Sequence, residues 1–330
     1  MSRDALSASS PCIGSLPPAA LAGMLRGPGL LIDYGAAKVR LHATCPALEP
    51  VLQQVYRDYP LLQEVSAGPV EPAADSDVAF ADYHVSIRHS PGLRRLWRPQ
   101  ARFLIDGLMP FEPFPARLAL PLYEWGVNWS FGQRCNQHVL LHAGAVALED
   151  RAVLMAAPPG HGKSTLTAAL MLAGFRLLSD EFGVLDPDRA VLLPMLKPIA
   201  LKNASIDLIE ASAPGRLGPR FAGTRKGVVA HLPPDPIALQ AGRRAARPAV
   251  VLFPAYRPGA ALQAIPEERH EAFARLAFNS FNYPVLGATA FHALADLVNA
   301  CACYRLVYGD VDQAVDWLRN TVQDAHEPMA

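Results

Sequence analysis

The amino-acid sequence predicts a mixed α/β fold, and two observations carry this prediction. An apolar strand pattern at residues 152–157 runs through a glycine-bearing loop into a helical pattern that begins near Lys163. In the rest of the chain, short segments of alternating apolar and polar residues are interleaved with segments of helical period. With 330 residues, 51% of them hydrophobic, the chain is long enough for a small α+β domain followed by a larger α/β domain.

These patterns divide the chain into four segments. We expect residues 1–26, which are rich in Ser, Pro and Ala, to be a loosely ordered leader with one short helix. Residues 27–115 form the expected α+β domain, residues 116–320 the α/β domain and residues 321–330 a tail. In the first domain, strand patterns occur at residues 30–34, 38–42, 83–88 and 102–106, a helical pattern at 46–59 and a loop composition at 66–78.

A very short connection leads into the strand at residues 152–157. The preceding strand pattern covers residues 139–148, and only Glu149, Asp150 and Arg151 separate the two. Because a parallel crossover needs about a dozen residues or more, these strands must be antiparallel neighbours. The glycine-bearing loop is therefore expected to follow a hairpin rather than a crossover helix.

This loop has the residue types of a phosphate-binding loop. It comprises Ala157, Pro158, Pro159, Gly160, His161, Gly162, Lys163, Ser164 and Thr165. In such a loop, unpaired backbone N–H groups and the positive end of the following helix form a cradle for phosphate oxygens. Lys163 supplies charge for the β and γ phosphates, and Ser164 is placed to hold Mg²⁺. Ala157 replaces the first glycine of the strict pattern, which alanine tolerates at negative φ. The alternative is a glycine-rich turn with an incidental lysine. We expect His161 to face solvent.

Two acidic residues interrupt the apolar segment that follows the loop helix. This helix is expected to end at Gly174, and the strand pattern at residues 175–185 has Asp180 and Glu181 at its middle. Carboxylates buried in a strand are unfavourable without partners, which a bound Mg²⁺ and a substrate hydroxyl would supply. Alternatively, the strand ends at Leu178 and both acids lie in a solvated turn.

Basic residues recur in loops of the second half of the chain. Arg225 and Lys226 lie in a glycine-punctuated segment that could close over a phosphate or could be solvated surface. Similar positions are occupied by Lys197, Lys202, Arg216 and Arg220. Further strand patterns cover residues 228–232, 249–253 and 304–308, helical patterns cover 266–278 and 288–301, and Asp310 is the expected N-cap of a last helix.

Composition excludes several classes of partner. The 30 basic residues balance 30 acidic ones, so neither nucleic acid nor an anionic membrane is indicated. The N-terminus lacks a signal-type apolar run and no segment has about 18 consecutive apolar residues, which predicts a soluble, cytoplasmic protein without a membrane partner. Five scattered cysteines do not suggest a disulfide framework. The oligomeric state stays open, and a homo-oligomer is one possibility.

The run from Leu140 to Leu185 resembles the catalytic domain of HPr kinase/phosphorylase. The shared features are a His-x-Gly hairpin, a Gly-x-Gly-Lys-Ser loop, a helix ending in glycine and a strand with adjacent acids. In this sequence they correspond to His142 and Gly144, residues 160–164, Gly174, and Asp180 with Glu181. Residues 225–234 and 279–287 look like the HPr-kinase-related kinase type A subfamily, and the resemblance covers roughly residues 130–320.

The resemblance implies a P-loop kinase domain of the HPr kinase C-terminal, or phosphoenolpyruvate-carboxykinase-like, fold that transfers the γ-phosphoryl group of ATP to a serine-type hydroxyl. It implies that Asp180 is the catalytic base, that Glu181 is a second acid near Mg²⁺ and that His142 lines the site. Lys163 and Ser164 match the family's loop lysine and magnesium ligand. Glu181 replaces the family's usual second Asp. We find no equivalent of the segment that HPr kinase uses for the reverse reaction, so neither dephosphorylation nor HPr as substrate is implied.

The phosphoryl acceptor is not encoded in a motif. The hydroxyl could belong to a protein, a peptide or a small metabolite such as free serine, because acceptor pockets are defined by shape. The sequence also does not distinguish ATP from GTP or pyrophosphate. A nucleotide-gated binding or scaffold protein with little turnover is an alternative of a different class, although the intact Lys163, Ser164 and Asp180 argue against it. No Gly-x-Ser-x-Gly elbow surrounds Ser164, which excludes a serine hydrolase.

Overall fold

The protein is a mixed α/β structure with several β-sheets, which confirms the predicted mixed α/β class. The computed structural model describes residues 11–62, 80–92, 97–158 and 160–324. The loop predicted at 66–78, Pro159 of the phosphate loop, and the two ends of the chain (residues 1–10 of the leader and 325–330 of the tail) lie outside the described residues. Within the described ranges, no helix combines the length and the apolar composition that crossing a membrane requires.

Helices and strands are numbered here in chain order. The helices are α1 (Pro18–Arg26), α2 (Glu49–Val55), α3 (Ala119–Arg134), α4 (Lys163–Leu172), α5 (Ala204–Ser212), α6 (Pro236–Ala241), α7 (Arg269–Phe278), α8 (Tyr283–Leu286), α9 (Ala288–Ala300) and α10 (Val311–Asp324). The strands are β1 (Leu30–Asp33), β2 (Lys38–Ala43), β3 (Tyr83–His89), β4 (Gln100–Ile105), β5 (Phe114–Pro115), β6 (Val139–Leu148), β7 (Arg151–Ala156), β8 (Arg176–Ser179), β9 (Phe182–Asp186), β10 (Val191–Leu193), β11 (Ile199–Lys202), β12 (Phe221–Thr224), β13 (Gly227–Leu232), β14 (Arg247–Tyr256), β15 (Gln263–Pro266) and β16 (Ala302–Tyr308).

The chain divides into two compact units. The first comprises the described residues within Met1–Ile32 and Lys38–Leu122, and the second those within Asp33–Ala37 and Tyr123–Ala330. The sheet of the first unit has the order β1-β2-β3-β4-β5. In this sheet β2 is parallel to β3, whereas β4 is antiparallel to both of its neighbours.

Helix α1 belongs to the core of the first unit. Leu21 and Leu25 are buried, and the backbone N–H of Ile13 donates to the carbonyl of Tyr59. The expectation of a loosely ordered leader is therefore wrong for residues 11–26. The prolines of this segment do not prevent a helix, because proline is favoured in the first helical turn.

The second unit is built around an eight-stranded sheet with the order β10-β9-β6-β7-β14-β16-β15, in which β8 also pairs with β6. Strands β6 and β7 are antiparallel, with Leu148 opposite Arg151 across the turn, which confirms the predicted hairpin. On its other side, β7 is parallel to β14, and β14 is parallel to β16. A separate three-stranded sheet has the order β11-β13-β12.

Several details of the second unit differ from the sequence prediction. The single strand expected at 175–185 is two strands, β8 and β9, which are separated by Asp180 and Glu181. Helix α10 continues to Asp324, so residues 321–324 are helical rather than a tail. Seven short elements were not predicted, namely β10, β11, β12, β15, α5, α6 and α8. These elements have three to nine residues, too few for a hydrophobic period to identify them.

Candidate functional site

The phosphate-loop sequence follows the end of β7 and leads directly into α4. Ala156 ends the strand and Lys163 is the first residue of the helix. Gly162, at the helix N-cap, has φ 84°, a left-handed conformation that favours glycine. Ala157 is buried, and its φ is not positive, so alanine can replace glycine at this position without backbone strain. The local conformation therefore fits the residue types of the loop.

The remaining loop residues differ in exposure. His161 is exposed, as expected, and its backbone carbonyl accepts a hydrogen bond from the N–H of Tyr256 at 3.3 Å. Pro158 is also exposed, and its carbonyl accepts from the backbone N–H of His161 at 3.4 Å. Thr165 is half-buried in the first turn of α4. The loop thus presents a solvent-facing outer edge and a buried inner edge.

Lys163 lies on the inner edge of the loop. Its side chain is buried, and Nζ donates to the backbone carbonyl of His142 at 3.3 Å. Burial lowers the pKa of the Lys163 ammonium, while the carboxylates of Asp180 and Glu181 act in the opposite direction. The hairpin partner β6 therefore holds the loop lysine in place through a backbone acceptor.

Asp180 is buried in the break between β8 and β9. Its Oδ1 atom has no hydrogen-bond partner, and the side chain interacts with the Ser164 hydroxyl. Burial, and after it repulsion from Glu181, raises the pKa of the Asp180 carboxyl to about 6, against the opposing charge of Lys163. The alternative of a solvated turn is wrong for Asp180, which is only 6% exposed.

The break that contains the acids coincides with a change of partner along β6. Ala145 pairs with Ser179 of β8, and His142 pairs with Phe182 of β9. Between them, the Ser179 hydroxyl accepts a hydrogen bond from the backbone N–H of Phe182 at 3.1 Å. This local bond replaces a ladder hydrogen bond and turns the chain between the two strands.

Glu181 and His142 form the outer part of the site. Their Oε1 and Nε2 atoms are 3.6 Å apart, and both side chains are about one-third exposed. Burial, and after it the charge of Lys163, lowers the pKa of His142, so the imidazole is neutral at neutral pH. Burial alone would raise the pKa of Glu181. Attraction to His142 in its protonated form, and after it to the charges of the neighbouring lysines, outweighs burial, so the net shift of the Glu181 pKa is downward. Glu181 is therefore an ionised carboxylate beside the loop.

Two further lysines lie close enough to the two acids and Lys163 to act on them electrostatically. Lys226, in the β12–β13 turn, and Lys202, at the end of β11, interact with each other directly. Both also act electrostatically on Asp180, Glu181 or Lys163. Partial burial, and after it Lys202, lowers the pKa of Lys226, whose Nζ lies 5.9 Å from the centroid of the Trp125 ring.

The structure differs from the sequence prediction for two basic residues: Lys202 lies at the site although it had no predicted role, whereas the candidate Arg225 does not act on the acids. Lys202 has no role assigned from the sequence, and no local pattern distinguishes it. It lies at the end of β11, which pairs with β13 and contacts helix α4, and these tertiary contacts bring it to the site. Arg225 is adjacent to Lys226 and exposed, and it is not among the charges that act on Lys163, Asp180 or Glu181. Both residues are exposed, and Lys226 is the one that acts on the charges of Lys163 and Glu181.

A segment after α7 completes the edge of β6. Strand β7 pairs with β6 only from Ala143 onward, and the backbone of Asn279 accepts the N–H of His142 at 2.7 Å. Buried Asn282 accepts from the N–H of Leu140 at 3.0 Å and donates to the carbonyls of Cys135 and His138. The ring of Phe281, in this segment, is 5.6 Å from that of His142.

Comparison with protein-family models and with curated proteins found no match for this chain.

The site combines a buried, partly unpaired carboxylate with a cluster of cations at the N-terminal end of a helix. Among the described residues, no group of three or more His, Cys, Asp or Glu side chains could hold a metal ion by itself. Mg²⁺ is commonly bound through one or two protein ligands together with substrate phosphates. Ser164 and Glu181 fit that smaller donor set. The arrangement therefore presents cations to an anionic ligand, together with one Asp180 oxygen that has no hydrogen-bond partner.

Proposed function

We propose that this chain is an ATP- and Mg²⁺-dependent kinase that transfers the γ-phosphoryl group to a serine-type hydroxyl of a protein or peptide. The observation that carries the proposal is the Asp180 carboxyl, which is buried beside Ser164 and Lys163 with one oxygen unpaired. The resemblance to HPr kinase/phosphorylase supports the same conclusion and adds the PEP-carboxykinase-like type of P-loop kinase fold. The proposed ligands are the nucleotide, Mg²⁺ and the acceptor.

Binding of the nucleotide is assigned to the loop and the first turn of α4. Backbone N–H groups at a helix N-terminus favour phosphate oxygens, and Lys163 adds a full positive charge. The lowered pKa of buried Lys163 indicates an ammonium that lacks sufficient counter-charge in the free protein. A triphosphate would supply that charge. Lys202 and Lys226 face the same group of acids and are assigned to the outer phosphate.

Ser164 and Glu181 are the residues that would hold Mg²⁺. Bound there, the ion would neutralise charge on the β and γ phosphates. Glu181 is suited to this role because its pKa is lowered and it is ionised at neutral pH. The His142 ring lies 3.6 Å from Glu181, and because its pKa is lowered it is neutral at neutral pH and does not compete with Mg²⁺ as a cation.

Asp180 is assigned as the general base. Its unpaired oxygen accepts the proton of the acceptor hydroxyl while the hydroxyl oxygen forms a bond to the γ phosphorus. The bond between that phosphorus and the β–γ bridging oxygen breaks, and its electron pair leaves with ADP. Positioning and charge stabilisation supply most of the rate enhancement in such transfers. A carboxylate with a pKa of about 6 is ionised at neutral pH and basic enough to assist.

The decisive experiment measures transfer of label from γ-labelled ATP with Mg²⁺ into a lysate of the source organism. Wild type is compared with Asp180→Asn and with the matched control Asp188→Asn, because Asp188 is exposed in the β9–β10 turn. We expect a labelled protein with wild type and Asp188→Asn and none with Asp180→Asn, although Asp180→Asn still binds nucleotide.

The other outcomes separate the alternatives. A labelled metabolite that depends on Asp180 would replace the protein acceptor by a small molecule. Nucleotide binding without any transfer would favour a nucleotide-gated scaffold. Near-normal transfer by Asp180→Asn would refute the assignment of the base.

A further inference from the structure

One face of the sheet in the first unit is apolar and the other is basic. Along β2, β3 and β4 the apolar face consists of buried Val39, Leu41, Ala43, Tyr83, Val85, Ile87, Ala101, Phe103 and Ile105. The alternate positions, which point to the opposite face, are Arg40, His42, His84, Ser86, Arg88, Arg102 and Leu104. We call this second set the basic face.

The basic face places like charges opposite one another. Arg88 is the direct cross-strand partner of Arg102, and Arg40 that of His84. Like charges at directly opposed positions destabilise a sheet. The Arg88–Arg102 pair is unfavourable for the free protein, and an anion beside Arg88 would reduce this repulsion.

A pocket of about 310 Å³ opens at this face. Its lining consists of Leu25, Arg26, His42, Ala43, Thr44, Ser86 and Arg88. These side chains include two guanidinium groups, one imidazole and two hydroxyls, and none of them is acidic. Arg26 donates to Glu49 at 2.8 Å through one nitrogen, and its other N–H groups leave it able to donate to a ligand.

His42 lines the pocket among several basic residues. It is flanked by Arg40 on its own strand and by His84 and Arg88 on β3, while α1 contributes Arg26. Burial, and after it these cations of the sheet, lowers the pKa of His42, against a hydrogen bond to the Gly27 carbonyl. A bound anion would counteract these cations and favour the protonated imidazole.

We propose that this pocket is a binding site for a phosphate monoester. The guanidinium groups of Arg26 and Arg88 line the same pocket and can donate to phosphate oxygens, and Thr44 and Ser86 supply neutral hydroxyl donors at the same opening. The dianionic charge suits a lining of cations without a carboxylate. The proposal is independent of the proposed kinase activity, because all of its residues belong to the first unit.

The test uses the full chain carrying Lys163→Ala, so that the phosphate loop contributes little to binding. Equilibrium dialysis with labelled inorganic phosphate is compared in this background for Arg88→Gln and for Arg117→Gln, an exposed arginine of the same unit. We expect Arg88→Gln to weaken phosphate binding about tenfold or more, the effect of losing charge-assisted hydrogen bonds, and Arg117→Gln to leave it unchanged. Equal binding by both variants would overturn the proposal.

A second measurement does not depend on mutating the pocket. Phosphate should raise the NMR-determined pKa of His42, because a bound anion stabilises the protonated imidazole. A His42 titration that phosphate does not move would contradict the site.

The source of the phosphate monoester is distinguished by comparing free phosphoserine with a phosphoserine peptide. Tighter binding of the peptide indicates a phosphorylated polypeptide, and equal binding indicates a small phosphate ester. Either result supports the site, whereas binding of neither ligand refutes it.

Discussion

The hydroxyl of Thr167 fills the space that a side chain on Gly144 would need. A Cβ on Gly144 would lie 2.5 Å from Thr167 Oγ1, whereas its next neighbours, Met155 Cε and the Asp180 carbonyl oxygen, would be 3.5 and 3.6 Å away. Oγ1 is itself held by the Lys163 carbonyl at 2.9 Å. The loop helix and the central hairpin strand therefore contact each other closely, next to both the loop lysine and the acids.

The first prediction tests this contact. Gly144→Ala should reduce the free energy of unfolding by about 1–3 kcal/mol through overpacking. Thr167→Ala alone should cost about 1 kcal/mol, because the hydrogen bond to the Lys163 carbonyl is lost. In urea unfolding, the double variant should lose less free energy of unfolding than the sum of the losses measured for the two single variants. Strict additivity would show that Oγ1 is not the obstacle. Gly132→Ala is the control, since its Cβ would meet Phe182 at an ordinary 3.6 Å.

The second prediction concerns Asp180 and stability. Because its folded-state pKa of about 6 exceeds the ordinary 3.8, the folded state binds the proton more tightly than the unfolded state. Ionisation of Asp180 therefore lowers the free energy of unfolding progressively as the pH rises from about 4 to about 6. Asp180→Asn should be more stable than wild type by up to about 3 kcal/mol above that range, and the gain should disappear as the pH approaches about 4. Urea unfolding of both proteins across this pH range measures the difference in their free energies of unfolding. A difference that does not depend on pH would contradict the raised pKa of Asp180.

The third prediction concerns the pH dependence of transfer. The proposed general base must be ionised, so kcat/KM, which reports the pKa values of the free enzyme, should rise with pH through the Asp180 pKa of about 6. The charge of Lys202 lowers this pKa, so Lys202→Met should move the acid limb of the profile to higher pH. The control is Arg225→Gln, which also removes one positive charge, from the nearby β12–β13 turn. This variant should leave the acid limb of the profile unchanged. An identical displacement in both variants would show that the effect is not specific to Lys202.

The fourth prediction concerns the segment that completes β6. Asn282→Ala removes one acceptor and two donors from a buried position and leaves their partners unpaired. The free energy of unfolding should fall by about 2–4 kcal/mol. Asn136→Ala, at an exposed position, should change it little. Thermal or urea unfolding distinguishes the two, and an unperturbed Asn282→Ala would indicate that the segment is not anchored by this side chain.

The predictable parts of the fold are those specified by local sequence. The short connection at residues 149–151 requires antiparallel neighbours, and the residue types of the loop fit the observed left-handed Gly162 and the exposed His161. Gly174 has φ 95° just after α4, as expected of a residue that ends a helix. These features need no information from distant parts of the chain.

The features that could not be predicted depend on tertiary pairing. The break at Asp180 arises because β8 and β9 pair with different parts of β6, and an apolar run does not encode that change. Lys202 approaches the acids through tertiary contacts, because β11 contacts helix α4 as well as pairing with β13. Likewise, Asn282 is a turn residue in the sequence, and its anchoring role depends on a strand about 140 positions earlier.

The hairpin that carries the loop also has a consequence for the order of folding. Strands β6 to β9 and helix α4 follow one another between residues 139 and 186, so the lysine, the serine and both acids come from one continuous stretch. Contacts that are close in sequence form with a smaller loss of chain entropy than distant ones. We therefore expect this stretch to form an early folding nucleus, whereas β14, Lys202 and Lys226 join it later from parts of the chain that lie beyond it.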